Sequence, residues 1–298
     1  MSVDAPARRK RRRLAALGDF AASPAALIGL VLVALVLFGG LLAPLLSPQD
    51  PYDLSQLDIM DSRLPPGSTA ANGMVYWLGT DSLGRDMLSA MLYGLRISLL
   101  VGFGSALIAS IIGATLGILA AYTGGKTDSL IMRLVDLHLA FPSILIALMI
   151  VALLGKGVIN VMVALVVIEW AYSARAARGA ALVERRREYI EAAEGLALPR
   201  RRILFRHLLP NCLPPLIIIG TMQAARAITL EATLSFLGLG VPVTQPSLGL
   251  LIANGYPYLM SGDYWISIYP GIALFMTVVG INLVMDRLRE ILNPRTDA

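Results

Sequence analysis

Cysteine and histidine are scarce in this 298-residue chain, which contains one cysteine and two histidines. The single cysteine, Cys212, excludes an internal disulfide and any Cys-x-x-Cys metal or redox motif. Charged residues make up 15% of the chain, whereas soluble domains carry about 25%. Neither an HExxH nor a GxSxG motif occurs, and the sequence therefore predicts no catalytic residue and no metal ligand.

Apolar residues are abundant instead, at 56% of the chain, with a mean hydropathy of +0.70. Apolar runs of about 20 residues recur, which is the length that a bilayer-spanning helix needs. The runs are continuous rather than alternating, which excludes a transmembrane β-barrel. We therefore predict an all-α polytopic membrane protein with six transmembrane helices, at 27–46, 97–121, 132–154, 158–174, 213–235 and 266–285.

The positive charges are distributed unevenly between the predicted loops. Residues 8–13 are all Arg or Lys, and nine arginines lie in the loop 175–212, whereas 236–265 contains no Lys or Arg. Positive charge collects on the cytoplasmic side, so both termini and the loop 175–212 are expected in the cytoplasm. The same bias accounts for the net charge of +5, so this charge does not indicate nucleic-acid binding. The first apolar run favours a signal anchor over a cleaved signal peptide.

A shift in composition near residue 95 suggests three parts. These are a first part at 1–95, with the N-terminal tail, the first helix and an external segment, a five-helix core at 96–290 and a tail at 291–298.

Residues 184–211, here called the charged segment, separate two strongly apolar regions. Pro199 ends the predicted helix, and the apolar positions that recur before it are Tyr189, Ile190, Ala193, Leu196 and Leu198. An interfacial helix on anionic lipid is the alternative. Four glutamates in the segment disfavour it because anionic lipid would repel them. The segment is therefore better interpreted as a loop that binds a partner protein.

Four motifs in the chain resemble those of one transporter family. The pattern Glu191-Ala192-Ala193 followed by Leu209-Pro210 resembles the EAA loop of ABC importer permeases. The motifs GTDSLGRD at 79–86, RHLLPN at 206–211 and EATLSFLGLG at 231–240 are similar to the dipeptide/oligopeptide branch. The chain thus resembles the second, C-type permease of such an importer. Ala197 stands where the EAA pattern expects glycine, and Leu248 stands where the branch usually has tryptophan.

This resemblance implies a type I ABC importer permease fold and a path for di- or oligopeptides. The implied partners are a homologous second permease, two cytoplasmic ABC ATPases and an external solute-binding protein. ATP and Mg would then bind to the ATPases, with no cofactor on this chain. The residues implied to couple the chain to the ATPases are Glu188, Tyr189, Glu191, Ala192, Ala193, Gly195, Arg206, His207 and Pro210.

Polar residues inside membrane helices are costly and are therefore functional candidates. The candidates for the translocation path are Gln223, Arg226, Thr229, Glu231 and Asn282. Arg226 could meet a peptide carboxylate near mid-membrane, and Glu231 an amine. The alternative is that these side chains hold this chain against the partner permease. Gly113-x-x-x-Gly117 is interpreted as a helix-packing motif.

Other functions remain as alternatives. Similar permeases import nickel, glutathione or antimicrobial peptides. A secondary transporter would show inverted repeats and paired broken helices, which the sequence lacks. An intramembrane enzyme would need a catalytic dyad, and none appears in the sequence. Gly125-Lys126-Thr127 resembles the end of a phosphate loop, but position 120 is alanine rather than the required glycine. Residues 81–86 are interpreted as a structural turn before the second helix rather than a metal site.

Overall fold

Long helices make up most of the chain. A computed structural model describes residues 19–53, 57–70 and 73–292. The basic residues 8–13 and most of the C-terminal tail lie outside the described residues. The helices are α1 Pro24–Leu41, α2 Ala43–Leu46, α3 Met87–Thr123, α4 Gly125–Leu139, α5 Ser143–Leu154, α6 Val158–Arg185, α7 Glu188–Gly195, α8 Arg200–Arg202, α9 Leu209–Phe236, α10 Leu248–Gly255 and α11 Trp265–Leu292.

Shorter elements connect these helices. They are 3-10 turns at Ile59–Asp61 and Tyr256–Ser261, a π-helical segment at Ile203–Leu208, and the strands β1 Ser68–Thr69 and β2 Val75–Tyr76. The two strands pair antiparallel, with Ser68 opposite Tyr76.

Five helices in the described part of the chain are long and apolar enough to cross a membrane, and there are six candidate spans if one bent pair counts as a single span, which confirms the predicted fold class. The five are α1, α3, α6, α11 and the helix Arg200–Phe236, which includes α9. The sixth candidate is the pair α4 and α5, which is bent by 86°. No predicted span is missing, although several boundaries differ.

The third span starts earlier than predicted and is broken in the middle. Residues 122–131 were predicted as a loop, but α4 is helical from Gly125. Charged residues such as Lys126 and Asp128 lower the local hydropathy without preventing a helix. The break follows from Pro142, because proline lacks an N–H group and disfavours helical geometry at Phe141.

The fourth span continues further than predicted. The predicted loop begins at residue 175, yet α6 runs on to Arg185. Its arginines end the apolar run, but the alanines between them are the best helix formers. Several of these alanines are fully buried, including Ala174, Ala177 and Ala181.

Two glycines allow α3 to approach α6 closely. A Cβ atom at Gly113 would lie 2.4 Å from the carbonyl oxygen of Trp170, and one at Gly117 would lie 2.2 Å from that of Ala174. Contacts this short require glycine, since small residues let helix backbones approach in membranes. The motif Gly113-x-x-x-Gly117 therefore packs two helices of this chain, as its sequence suggested.

The first helix packs along the last one. A Cβ at Gly29 would lie 2.7 Å from the Cβ of Leu283, and a Cβ at Gly280 would lie 2.9 Å from that of Leu32. The end of α11 also reaches back toward the start of the described chain, where Arg287 Nε donates to the carbonyl oxygen of Asp19 at 3.1 Å. Asp19, at the start of the described residues, and the end of α11 therefore lie on the same side of the bundle.

The segment before α3 is held by buried polar contacts. Arg85 Nε lies 2.7 Å from Asp81 Oδ2, and both side chains are almost fully buried. Arg85 Nη1 also donates to the carbonyl oxygen of Val243, at 3.1 Å. Asp86 caps α3 by accepting a hydrogen bond from the backbone N–H of Ser89 at 2.8 Å. This is the structural turn that the sequence indicated.

Helix α10 lies within the segment 236–265 and is buried at its first turn. Leu248 is fully buried in a cluster with Leu95, Leu99 and Ile228. The backbone of α10 comes so close to α9 that a Cβ at Gly249 would lie 2.3 Å from the carbonyl oxygen of Ala232. Leucine in place of the expected tryptophan at position 248 therefore fills a packed interior site.

Candidate functional site: the charged segment and a polar groove

The charged segment folds against the ends of α3, α6 and α9. Ile190 and Ala193, on one face of α7, are buried in a cluster that includes Ile118 of α3 and Ala181 of α6. The apolar spacing predicted this buried face. The expectation failed at Leu196, whose side chain is 75% exposed.

The opposite face of α7 is open to solvent. Glu188, Glu191, Ala192 and Gly195 are exposed, and Tyr189 is 37% exposed. Glutamates at the first turn suit the positive end of the helix dipole. Helix α7 thus exposes a surface of acidic and small residues, while its opposite face is packed against the membrane helices.

Helix α7 ends in a turn that places an alanine in the left-handed region. The backbone N–H of Leu198 donates to the carbonyl oxygen of Ala193 at 3.2 Å, and that of Ala197 donates to Glu194 at 2.9 Å. This is the Schellman pattern, whose residue after the C-cap is usually glycine. Ala197 has φ of 52°. The nearby Gly195 does not take over the left-handed position.

Two further residues fix the start of the charged segment. Arg185 Nη1 donates to the carbonyl oxygen of Ala121, at 3.0 Å, and its guanidinium lies 5.6 Å from the ring centroid of Tyr122. Tyr189 Oη donates to Glu184 Oε1 at 2.7 Å. Partial burial and this bond to the carboxylate raise the pKa of Tyr189 above its usual value, which keeps the hydroxyl protonated as a donor.

The end of the charged segment is a π-helix that leads into α9. Its six residues include Arg206, which is exposed, and His207, which is half-buried. Pro210 is exposed and lies in the first turn of α9. It has no N–H group to continue an α-helical ladder. The side chain of Asn211 donates to the carbonyl oxygen of His207 at 2.6 Å. π-Helical turns are frequent at functional sites.

A largely apolar groove of about 340 Å³ opens between α9 and α11, and it is called the polar groove here for the three polar side chains that line it. It is lined by Met222, Ala225, Arg226, Thr229, Leu230, Val278 and Asn282. Three of the five predicted path residues, Arg226, Thr229 and Asn282, therefore share one cavity. The sequence could not show this, because Asn282 is on a different helix from the other two.

Arg226 is paired with a glutamate of α6 rather than with one of its own helix. Its Nη2 lies 3.7 Å from Glu169 Oε1, and its guanidinium lies 4.3 Å from the ring centroid of Tyr172. The side chain of Arg226 is 44% exposed, whereas that of Glu169 is fully buried. Glu231, five residues further along α9, contacts Ser98 and Ser235 instead. Tyr172 was missed, since nothing in the sequence marks it.

The other two predicted path residues are buried between helices of this chain. Gln223 accepts hydrogen bonds from Ser110 at 3.2 Å and Ser173 at 2.8 Å. Its own amide donates to the carbonyl oxygen of Glu169 at 3.0 Å. Gln223 therefore links α9 to α3 and α6 within this chain, a role that neither interpretation of the sequence named.

Glu231 is also buried and bonded. It accepts hydrogen bonds from Ser98 at 2.9 Å and from Ser235 at 2.7 Å. Since Ser98 is on α3, the carboxyl group of Glu231 links α9 to α3. Gln223 and Glu231 do not line the polar groove.

Comparison with known proteins matches these features to one family. Residues 113–298 match the model of the binding-protein-dependent transport system inner membrane component, and residues 12–66 match the N-terminal TM domain of oligopeptide transport permease C. The chain is 39% identical over 278 residues to the di/tripeptide transport system permease protein DppC of Pseudomonas aeruginosa, covering 93% of this chain and 90% of that protein. It is 38% identical to the glutathione transport system permease protein GsiD of Pectobacterium atrosepticum, covering 99% and 93%.

A solved structure shares the fold. A chain of the MetNI methionine ABC transporter, in an inward-facing conformation, superposes with a TM-score of 0.57 at 22% identity, covering 70% of this chain and 98% of that chain. The spans, the charged segment and the two family matches lead to one conclusion. The chain belongs to the family of binding-protein-dependent transport system inner membrane components, and it is a multi-pass, non-catalytic permease subunit of an ABC importer.

Proposed function

We propose that this permease carries small peptides across the bacterial inner membrane, together with a homologous second permease. Two ABC ATPases would bind the charged segment and hold the ATP and Mg, and an external solute-binding protein would deliver the cargo. The observation that carries this proposal is the geometry of α7. Its buried face anchors it to α3 and α6, while Glu188, Glu191 and Ala192 stay free for a partner.

The anchoring explains how a partner's movement would reach the membrane helices. Ile190 and Ala193 pack in the same cluster as Ala177 and Leu216, which lie inside α6 and α9. Close-packed interiors transmit displacement rather than absorb it. A force on α7 is therefore passed to two spanning helices. Tyr189, Gly195, Arg206, His207 and Pro210 complete the proposed coupling surface.

Co-purification tests the proposed coupling. The chain is co-expressed with the permease and ATPase genes found beside its own, and the complex is isolated from membranes. We expect Glu191→Arg to lose the ATPases, because it reverses a charge on the exposed face. Asp286→Arg is the matched control, since Asp286 is also exposed but lies near the end of α11. Retention of the ATPases by Glu191→Arg would remove this residue from the coupling surface.

The peptide cargo is supported by the relatives. These relatives include a di/tripeptide permease and a probable D,D-dipeptide permease of Escherichia coli, the latter at 35% identity over 92% of this chain. Glutathione is the second candidate, because GsiD aligns along 99% of the chain. ATP-dependent uptake into proteoliposomes of a labelled dipeptide, competed by unlabelled dipeptide, glutathione or nickel, separates these cargoes. Absence of ATP-dependent uptake of the labelled dipeptide would contradict a dipeptide cargo.

The proposed orientation places both termini in the cytoplasm. Arg287 at the end of α11 contacts Asp19 before α1, so the end of α11 and the residue before α1 share a side. The arginines of the charged segment mark that side as cytoplasmic by the positive-inside bias. Alkaline phosphatase fused after residue 298 should then be inactive, and an active fusion would reverse the topology.

The proposed path runs past the polar groove. Arg226, Thr229 and Asn282 line it, whereas Gln223 and Glu231 support it by holding α9 against its neighbours. Polar groups that face a cavity inside a membrane protein commonly mark substrate pathways. The alternative is that the second permease covers this groove and that Arg226 holds the two subunits together.

A further inference from the structure

The guanidinium of Arg226 is incompletely paired. A guanidinium has five N–H donors in a planar fork, which matches a carboxylate in a bidentate arrangement. Here the nearest carboxylate oxygen, on Glu169, is 3.7 Å away, which is beyond hydrogen-bond distance. Among the described residues the structure shows no hydrogen bond from this side chain. The ring of Tyr172 supports one face of the guanidinium and leaves the N–H edge available.

Glu169 is equally unsatisfied. Its side chain is fully buried, and neither carboxylate oxygen has a hydrogen-bond partner in the described part of the chain. A buried charged group without hydrogen bonds is costly. Arg226 is therefore held near Glu169 by charge and not by a closed bidentate bond. A ligand that offers a better-placed carboxylate can compete for it.

The groove beside Arg226 has the size and the polar groups for a small ligand. Its volume of about 340 Å³ lies within the usual range for small-molecule pockets. Thr229 and Asn282 add a hydroxyl and an amide, and Met222 and Val278 add apolar wall. Such a mixture fits a peptide backbone with a short side chain.

We propose that this groove binds the carboxylate of a small peptide at Arg226, and that Glu169 is the resident counter-charge which that carboxylate displaces. This inference rests on the proposed function, because it assumes that a peptide passes the groove. It adds a selection step inside the membrane, separate from the choice made by the binding protein. Arg226 is the specificity-determining residue, and the attraction of Glu169 sets how readily Arg226 pairs with a peptide carboxylate.

Direct titration tests the site without the binding protein. The chain is purified from its membrane with the subunits that copurify, placed in nanodiscs and titrated with alanyl-alanine and with its C-terminal amide. We expect the acid to bind at least about tenfold more tightly than the amide, as is typical for a hydrogen bond to a charged group. Arg226→Gln should bind both equally, and Arg226→Lys should keep part of the preference.

Glu169→Gln distinguishes a binding role from a structural one. Removing the competing carboxylate should strengthen binding of the acid. If the pair were only structural, Glu169→Gln and Arg226→Gln would both weaken binding of the acid. Arg175→Gln is the matched control, because Arg175 pairs with Asp136 outside the groove and its loss should leave the preference unchanged. Equal binding of acid and amide by the unaltered protein, or an unchanged preference in Arg226→Gln, would overturn the site.

The two proposals fail in different ways. If alanyl-alanine binds through Arg226 but ATP-driven uptake of peptides is absent, the carboxylate site stands and the peptide cargo is wrong. If peptides are taken up and acid and amide bind equally, transport stands and the site is wrong.

Discussion

The backbone N–H of Leu198 donates to the carbonyl oxygen of Ala193 across the end of α7, and this bond holds Ala197 between them at φ of 52°. An L-residue with a side chain pays about 1–2 kcal/mol in this region. The cost falls on the turn that ends the exposed helix of the charged segment.

Replacing Ala197 with glycine should therefore stabilise the protein. Glycine takes positive φ freely but loses more entropy on folding, so we expect a net gain of about 0.5 kcal/mol. The measurement is the apparent melting temperature in detergent, together with hydrogen exchange of α7. Ala192→Gly is the control, since Ala192 is exposed inside the same helix and its replacement should destabilise by about 1 kcal/mol. If the melting temperatures of the two variants shifted in the same direction, backbone strain at Ala197 would be contradicted.

Gly117→Ala should prevent close packing of α3 on α6. The new Cβ would lie 2.2 Å from the carbonyl oxygen of Ala174, and backbone atoms cannot move away cheaply. We expect a large loss of monodisperse protein on size-exclusion chromatography. Gly179→Ala, on α6, is the control because a Cβ there meets nothing within 4 Å. Normal yield of Gly117→Ala would show that the helices are further apart.

Asp81→Asn should strongly destabilise the turn before α3. It leaves the buried guanidinium of Arg85 without its counter-charge, and breaking a buried pair in this way costs about 3–5 kcal/mol. Arg63→Gln provides the comparison, since Arg63 pairs with Asp263 at 3.4 Å while 46% exposed. An exposed pair contributes less than about 1 kcal/mol. Thermal unfolding should show a larger loss of stability for Asp81→Asn than for Arg63→Gln. Equal losses would argue that burial does not determine the contribution of the ion pair.

Arg185→Gln should loosen the charged segment without unfolding the bundle. It removes the hydrogen bond to Ala121 and the contact with Tyr122. We expect faster hydrogen exchange confined to residues 186–198 and weaker retention of the ATPases. Arg186→Gln is the control, because Arg186 is exposed at the next position. If the two variants exchange alike, Arg185 does not anchor the segment.

Several features followed from local sequence patterns. The spans, the charged segment and the buried positions Ile190 and Ala193 depend on hydrophobicity and its period along one helix. Ala197 was recognised as a departure from the family pattern, and the structure explains why glycine is expected there. The early start of α4 and the extension of α6 were missed because hydropathy measures the polarity of a segment and not its helicity.

The sequence by itself determined that this chain is a helical membrane permease with a charged segment between its fourth and fifth spans, because apolar run length and motif spacing are properties of the chain alone. Only the tertiary structure decided which polar residues face a cavity. In a membrane helix, lipid-facing and protein-facing surfaces are both apolar, so the pattern cannot show which face is buried. Packing alone therefore placed Glu231 against Ser98 and brought Arg226 to Glu169.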